Sequence, residues 1–139
     1  MIPLLVCDDS NMARKQLIRA LPAEWPVSLS QASNGEEALA SIRQGLGQVM
    51  LLDLTMPVLD GYQTLAALRA EGLSSQVIVV SGDVQEEAVR RVRELGALAF
   101  IKKPADPEIL RQTLIDLNLF DPQATPAAQA QAAALSELK

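Results

Sequence analysis

Histidine is absent from this chain of 139 residues, and cysteine occurs only once, at Cys7. Without an imidazole base, Ser-His-Asp and Cys-His catalysts are excluded. A zinc site built from histidine and cysteine is disfavoured for the same reason. One cysteine cannot form an internal disulfide, which fits a reducing compartment. We expect the Cys7 thiol to be an inert part of the core.

Aromatic residues and long apolar runs are also scarce. Aromatics make up 3% of the chain, so the core must come from the aliphatic residues that raise the apolar fraction to 49%. No stretch is long and apolar enough to span a membrane, and no signal peptide is evident. These features predict a cytoplasmic protein without a membrane partner. A formal net charge of −5 argues against a nucleic-acid partner.

Short apolar runs alternate along the chain with segments of helical period. The alternation predicts one α/β domain, in which helices cover both faces of a parallel sheet and right-handed crossovers join the strands. The predicted strands are Ile2–Cys7, Val27–Ala32, Val49–Leu52, 77–80 and 97–101. Residues 121–139 are rich in alanine, glutamine and proline. We interpret them as a linker or tail outside the fold, and continuation into a longer protein stays open.

Polar start signals precede several of the predicted helices. Ser33 and Glu36 have the spacing of a capping box. Asp83 with Glu86 indicates another helix start, and Asp106-Pro107 offers an N-cap followed by proline at the first helical position. The basic residues are interpreted as solvated helix faces: Arg14, Lys15, Arg90, Arg91 and Arg93.

Polar side chains stand directly after four of the five predicted strands. Asp8 and Asp9 follow the first strand, Asp53 the third, Ser81 the fourth, and Lys103 lies just beyond the fifth. Because the carboxyl ends of parallel strands share one edge of the sheet, we expect these side chains to meet. Clustered carboxylates repel one another unless a cation joins them. A ligand set made only of oxygen favours Mg²⁺.

A divalent ion, an ammonium and a hydroxyl around one carboxylate are typical of phosphoryl transfer. We therefore predict that Asp53 is the nucleophile and forms an aspartyl-phosphate. Taken singly, the same residues have simpler interpretations. Asp8 and Asp9 suit the N-terminus of a helix, and Ser81 alone suits a loop. The metal-site hypothesis depends on their occurring together.

This arrangement resembles the receiver domain of two-component response regulators, close to the stand-alone chemotaxis type. The phospho-acceptor motif of that family, D-x-x-M-P-x-x-D-G, matches residues 53–61, and the lysine before a proline matches Lys103-Pro104. The resemblance covers roughly residues 2–119. It implies a flavodoxin-like, doubly wound sheet of strand order 2-1-3-4-5. The receiver domain would then span residues 1–120.

The resemblance also implies how the metal site works. Mg²⁺ would be held by Asp9, by Asp53 and by the backbone carbonyl of Thr55, with Asp8 acting mainly through water. Ser81 would contact the phosphoryl oxygens, as would the lysine.

The switch residues are implied by the resemblance as well. Phosphorylation would draw Ser81 inward, and the ring of Phe100 would follow and reshape the face made by the fourth helix, fifth strand and fifth helix. A cis peptide bond between Lys103 and Pro104 is also implied.

The implied function is a phospho-accepting switch that catalyses its own phosphorylation and dephosphorylation. The donor would be a phosphohistidine on a sensor histidine kinase or a phosphotransfer domain, and the target a downstream effector or a C-terminal output domain. An alternative is a receiver that binds partners without phosphorylation. Another is the input half of a longer enzyme or regulator. A flavodoxin is disfavoured because Asp8 and Asp9 would repel a phosphate there.

Overall fold

The computed structural model describes residues 1–124, which form a five-stranded parallel sheet covered by helices on both faces. The strand order β2-β1-β3-β4-β5 confirms the order 2-1-3-4-5. The strands are β1 (Ile2–Cys7), β2 (Val27–Ala32), β3 (Val49–Leu52), β4 (Gln76–Ser81) and β5 (Ala99–Lys102). The helices are α1 (Asn11–Ala20), α2 (Gly35–Arg43), α3 (Gly61–Ala70), α4 (Glu86–Glu94) and α5 (Pro107–Asp116).

Both faces of the central strands are buried, as their unbroken apolar runs require. Alternate residues of each strand feed two separate hydrophobic clusters. Leu5 and Met50 belong to the cluster under α2, α3 and α4. Leu4 and Leu51 belong to the cluster under α1 and α5. Each of these four side chains is completely buried, so the sheet is held rigidly from both sides.

The fifth strand starts later than its apolar run predicts. Gly96 has a φ of +103°, a conformation that ends α4 and favours glycine. The backbone N–H of Ala97 then donates to the carbonyl of Val92, so Ala97 takes part in closing the helix and not in the sheet. Pairing with β4 therefore begins at Ala99 and not at Ala97. The predicted range 97–101 was two residues too early at its start and one too early at its end.

Two of the predicted helix starts are also corrected. The N-cap of α2 is Asn34, whose side chain accepts a hydrogen bond from the backbone of Glu37 at 2.9 Å. Glu37, and not Glu36, reaches back to the N–H of Ser33 at 3.0 Å.

In the loop before α4, Asp83 accepts a hydrogen bond from the N–H of Gln85 at 3.1 Å. Asp83 therefore stabilises a turn before the helix, and the N-cap residue Gln85 makes no side-chain cap. The predicted start at Asp106 is confirmed, because its side chain accepts from the N–H groups of Glu108 and Ile109.

The segment after α5 folds back on the opposite end of the sheet from the polar strand ends. The indole N–H of Trp25 donates to the carbonyl of Leu119 at 3.0 Å, and the Trp25 and Phe120 ring centroids lie 6.3 Å apart. Arg111 lies over the Phe120 ring at 5.1 Å and forms an ion pair with Glu24. We call Trp25, Leu119, Phe120 and Arg111 the terminal clamp.

Beyond the terminal clamp, the residues Pro122–Ala124 form a single 3-10 turn. The rest of the predicted linker, residues 125–139, lies outside the described part of the chain. Within the described part, no helix combines the length and the hydropathy needed to cross a membrane.

Candidate functional site

Three aspartates converge at the carboxyl edge of the sheet. Strands β1 and β3 are neighbours in register, with Cys7 beside Leu52, so Asp8 and Asp53 leave the sheet side by side. The N–H of Asp53 donates to the carbonyl of Cys7 at 3.0 Å. Asp8, Asp9 and Asp53 each present a carboxylate oxygen, and these oxygens lie within 4.8 Å of one another. Asp8 and Asp53 are buried, whereas Asp9 is exposed.

Lys103 supplies the positive charge among these acids. Its Nζ lies 2.6 Å from Asp8 Oδ2 and 3.3 Å from Asp53 Oδ1. The backbone places it there, because the N–H of Lys103 donates to the carbonyl of Ser81 at 2.9 Å. Lys102 is exposed, as expected for the alternate position along the strand. The peptide bond between Lys103 and Pro104 is cis, as the resemblance implied.

The remaining predicted site residues differ in how deeply they are buried. Ser81 ends β4 and is buried, and its Oγ accepts a hydrogen bond from the N–H of Asp83 at 3.1 Å. Thr55 lies on the exposed loop after β3. Phe100 is partly buried and packs against the cluster under α2, α3 and α4, so it belongs to the packing and not to the acidic edge.

Both carboxylate oxygens of Asp8 and its backbone carbonyl accept hydrogen bonds. Its Oδ2 meets Lys103, its Oδ1 accepts from the N–H of Ser10 at 2.9 Å, and its backbone carbonyl accepts from Arg14 Nη1 at 2.6 Å. The interpretation of Arg14 as a solvated basic residue was therefore wrong. Helical side chains point back toward the N-terminus of their helix, which gives the general direction of Arg14 but not the groups that accept its hydrogen bonds.

The charges of the pocket are strongly coupled. Burial raises the pKa of Asp53, the charge of Asp8 raises it further, and Lys103 only partly offsets both effects. Burial by itself would lower the pKa of Lys103, but the hydrogen bond to Asp8 and the charge of Asp53 outweigh it and raise the pKa. An additional cation beside Asp53 would favour its ionised form.

The donor atoms suit a hard divalent cation. The cluster offers carboxylate oxygens only, two from buried residues and one from the exposed Asp9. Buried acids that share one ammonium retain an excess of negative charge, which a second cation would compensate. Oxygen ligands of this kind are those that Mg²⁺ prefers. The residues present therefore fit the predicted ion.

A doubly wound sheet with an acid cluster and a lysine at its carboxyl edge defines a signal receiver domain. The chain belongs to the family of response regulator receiver domains, which matches residues 4–115.

Two curated relatives illustrate how the family uses this domain. The chain is 37% identical over 123 residues to a protein-glutamate methylesterase/protein-glutamine glutaminase of Halalkalibacterium halodurans, covering 83% of this chain and 35% of that protein. It is 37% identical over 119 residues to a probable C4-dicarboxylate response regulator, DctR, of Priestia megaterium, covering 84% and 51%. The chain thus spans about half or less of the length of these relatives.

Among solved structures, the chain is similar to a chain of the CheX-CheY-BeF3-Mg²⁺ complex from Borrelia burgdorferi. The TM-score is 0.75 and the identity 28%, with 84% of this chain and 89% of that chain covered. The fold and the family are thereby established.

Proposed function

We propose that this receiver domain accepts a phosphoryl group on Asp53 from a phosphohistidine of a sensor histidine kinase or a phosphotransfer domain. Asp8, Asp9 and Asp53, with the backbone carbonyl of Thr55, would hold the Mg²⁺ that the reaction needs. Lys103 and Ser81 would contact the phosphoryl oxygens. The relatives named above carry further protein besides the receiver. We therefore propose a downstream effector or an attached output domain as the target.

The observation that carries this proposal is the position of the Lys103 ammonium between two buried carboxylates. It lies 2.6 Å from Asp8 and 3.3 Å from Asp53, and the Asp9 oxygen lies in the same cluster. Replacing buried ion pairs by apolar residues is often neutral or stabilising, so stability alone does not account for this much buried charge. Preorganised charge is what stabilises a transferring phosphoryl group.

The proposed step is an in-line displacement at phosphorus. An Asp53 carboxylate oxygen forms the new O–P bond while the N–P bond of the phosphohistidine breaks and the imidazole nitrogen keeps the electron pair. When bound, Mg²⁺ neutralises charge on the phosphoryl oxygens. The Lys103 ammonium would donate to a phosphoryl oxygen, and the Ser81 hydroxyl would supply a second donor. Attack by water on phosphorus later breaks the O–P bond to Asp53 and releases inorganic phosphate, which leaves the free carboxylate.

Output would follow from the same contacts. Once Ser81 turns toward a phosphoryl group, its hydrogen bond from Asp83 is lost, and the loop that precedes α4 becomes free to move. Phe100 would then rearrange against its cluster and reshape the face formed by α4, β5 and α5. A chemotaxis pathway is one use of such a surface, and regulation of an attached domain is another.

The direct test is labelling by a small phosphodonor. Incubation with acetyl phosphate and Mg²⁺ should add one phosphoryl group to the wild-type chain, detected as a mass increase that mild base reverses. The variant Asp53→Asn should show no labelling. Asp116→Asn is the matched control, because Asp116 is exposed at the end of α5 and away from the pocket.

Two results would contradict the proposal. If Asp53→Asn is labelled as well as the wild type, another residue is the acceptor. If the wild type binds no Mg²⁺ at millimolar concentration and takes up no label, the chain acts as a phosphorylation-independent interaction module instead.

A further inference from the structure

We propose that Arg14 is a positioning residue for the acidic pocket, and that it holds the Asp8-Asp9 turn in the geometry that binds the divalent cation. This inference rests on the proposed function. It assigns to α1 a part in metal binding that its sequence pattern did not indicate.

Asp8 is the residue at which the backbone hydrogen bonds of β1 to the neighbouring strands end. The N–H of Asp8 still donates to the carbonyl of Ala32 on β2 at 3.1 Å. Its carbonyl lies beyond the ladder and is taken by Arg14 Nη1 at 2.6 Å. A hydrogen bond from a charged donor at this distance is a strong one. Arg14 therefore replaces the missing strand partner.

The guanidinium of Arg14 is itself braced on two further elements. Its Nε donates to Gln31 Oε1 on β2 at 2.9 Å, and its Nη2 donates to Asn11 Oδ1 at the start of α1. One planar group thus joins the end of β1, the edge strand β2 and the first turn of α1. Because the fork of an arginine is rigid, the contacts with Gln31 and Asn11 fix the direction of its hydrogen bond to Asp8.

The neighbouring base shows that this is not a general property of α1. Lys15 is the next residue and is exposed, and its side chain makes no hydrogen bond or ion pair with any of residues 1–124. Lys15 carries the same charge at almost the same place in the chain. It therefore separates the effect of charge from the effect of contact.

The residue that most needs the brace is Asp9. Its carboxylate is exposed and, in the described part of the chain, accepts no hydrogen bond and forms no ion pair. Only the backbone of the turn places its oxygen within 4.8 Å of the other two acids. Freeing the Asp8 carbonyl would let this turn vary, and the metal would then have to order it on binding.

Charge and position predict opposite results when Arg14 is removed. If Arg14 acts only as a positive charge near the pocket, its loss should tighten Mg²⁺ binding, because like charges repel. If it positions the turn, its loss should weaken Mg²⁺ binding. Removing a residue that orients a metal ligand typically costs tenfold or more in affinity. We expect Arg14→Ala to raise the Kd for Mg²⁺ by about tenfold.

The experiment is a titration of the full chain with MgCl2, in which binding is measured by calorimetry and by the chemical shifts of the backbone amides. The variants are Arg14→Ala, Gln31→Ala and Lys15→Ala. Gln31→Ala removes one brace on an exposed residue without changing the charge, so it should weaken binding in the same direction but less. Lys15→Ala should bind like the wild type or slightly more tightly. Tighter or unchanged binding by Arg14→Ala would overturn the proposal.

A kinetic readout separates positioning from a loss of structure. With acetyl phosphate, Arg14→Ala should need more Mg²⁺ to reach half of its maximal labelling rate, while the rate at saturating Mg²⁺ stays near that of the wild type. Arg14→Lys, which keeps one donor but not the fork, should fall between the two. A lower rate at saturating Mg²⁺ with an unchanged Mg²⁺ requirement would overturn the inference.

The two proposals fail in different ways. A wild-type chain that neither binds Mg²⁺ nor takes up label would contradict the proposed function. A wild-type chain that does both, with an Arg14→Ala variant that matches it, would contradict the role of Arg14 alone.

Discussion

At the scale of single residues, the acidic pocket buries more negative than positive charge, and this lowers the stability of the folded chain. Asp8 and Asp53 are both buried, and one ammonium serves both. The raised pKa of Asp53 shows that its ionised form is less favourable in the folded chain than in the unfolded chain, chiefly because of burial and then of the charge of Asp8. This part of the molecule is arranged for a task other than stability.

Asp53→Asn should therefore increase the stability of the metal-free protein at neutral pH. The raised pKa makes the wild type relatively more stable below the ordinary pKa of an aspartate, and this contribution is lost as the pH rises through the folded pKa. The gain of the variant should thus be largest at neutral pH and shrink in acid. Urea denaturation in a chelator, followed by circular dichroism, measures it.

Asp116→Asn serves as the control and should change stability by no more than about 0.5 kcal/mol, as exposed substitutions usually do. An Asp53→Asn variant less stable than the wild type at neutral pH would show that the ion pair with Lys103 outweighs the burial of the acid.

Gly61 is a second residue on which the pocket depends. A Cβ at this position would lie 2.5 Å from the backbone carbonyl oxygen of Asp53 and 2.7 Å from Leu54 Cα. Gly61→Ala should therefore push the backbone of the acceptor loop and cost about 1–3 kcal/mol, the range for overpacked sites. Gly82→Ala is the matched control, since a Cβ there meets nothing within 4 Å.

Equilibrium unfolding of both glycine variants tests this contrast, and equal stabilities would contradict it. Labelling by acetyl phosphate should also fall in Gly61→Ala if the displaced loop carries Asp53 with it.

The sequence was sufficient to predict which residues meet in the pocket, because each of them directly follows a strand of known direction. Asp8 and Asp53 required only the rule that parallel strands end at one edge. The choice of Lys103 over Lys102 also needed strand alternation and the proline that follows it. The contact of Arg14 could not be predicted in the same way. It depends on how far α1 is rotated about its axis relative to β2, and no local pattern encodes that rotation.

At the scale of elements, α4 is fixed by contacts that its sequence pattern does not indicate. Its N-cap makes no side-chain hydrogen bond, and the loop of residues 82–85 before it is exposed. Two contacts with α3 compensate: Arg91 lies 4.1 Å above the ring of Tyr62, and Arg69 donates to the carbonyl of Glu94 at 2.7 Å. Arg91 is exposed, as expected for a solvated helix face, and its contact with Tyr62 is an addition that the sequence pattern did not indicate.

Arg91→Ala should lower the free energy of unfolding by about 0.5–1 kcal/mol, the value of an exposed cation–π contact. Arg90→Ala is the control on the same helix. Arg90 has only a distant ion pair with Glu94 at 3.9 Å, and such surface pairs contribute little. Chemical denaturation of the two variants gives the comparison, and an equal loss in both would show that the Tyr62 contact is unimportant.

The boundaries of the elements show which local rules were sufficient. The first three strands begin and end where the sequence pattern predicted. The start of α2 was misplaced by one residue because Ser33 and Asn34 are both good caps, and Glu36 and Glu37 both suit the third helical position. Two neighbouring registers satisfied the same rule. In the observed one, Gly35 lies so close to Leu59 and Thr64 that a Cβ would not fit there.

At the scale of the whole molecule, the terminal clamp joins the connection before β2 to the residues that follow α5. Trp25 and Phe120 are both nearly completely buried, and the indole hydrogen bond joins residues 94 positions apart in the chain. The connection between α1 and β2 is thereby attached to the last residues of the domain. We propose residues 1–120 as the folding unit on this basis, as the sequence analysis predicted.

Shortening the chain tests that boundary. A chain ended after Phe120 should unfold at nearly the same urea concentration as the full chain, because the clamp is intact. A chain ended after Asn118 should lose about 3 kcal/mol, the cost of removing a large buried aromatic residue. Circular dichroism during urea denaturation measures both, and equal stability of the two shortened chains would contradict the clamp.

Trp25 is the sole tryptophan of the protein, and it lies beside Pro26 and Ile2, where the first strands begin. The six residues of β1 separate it from Asp8 by roughly 17–20 Å. Its ultraviolet emission should consequently respond to loss of the native structure while ignoring ions or phosphate at the far rim. Trp25 fluorescence can therefore report unfolding in the same way whether or not an ion or phosphate is bound.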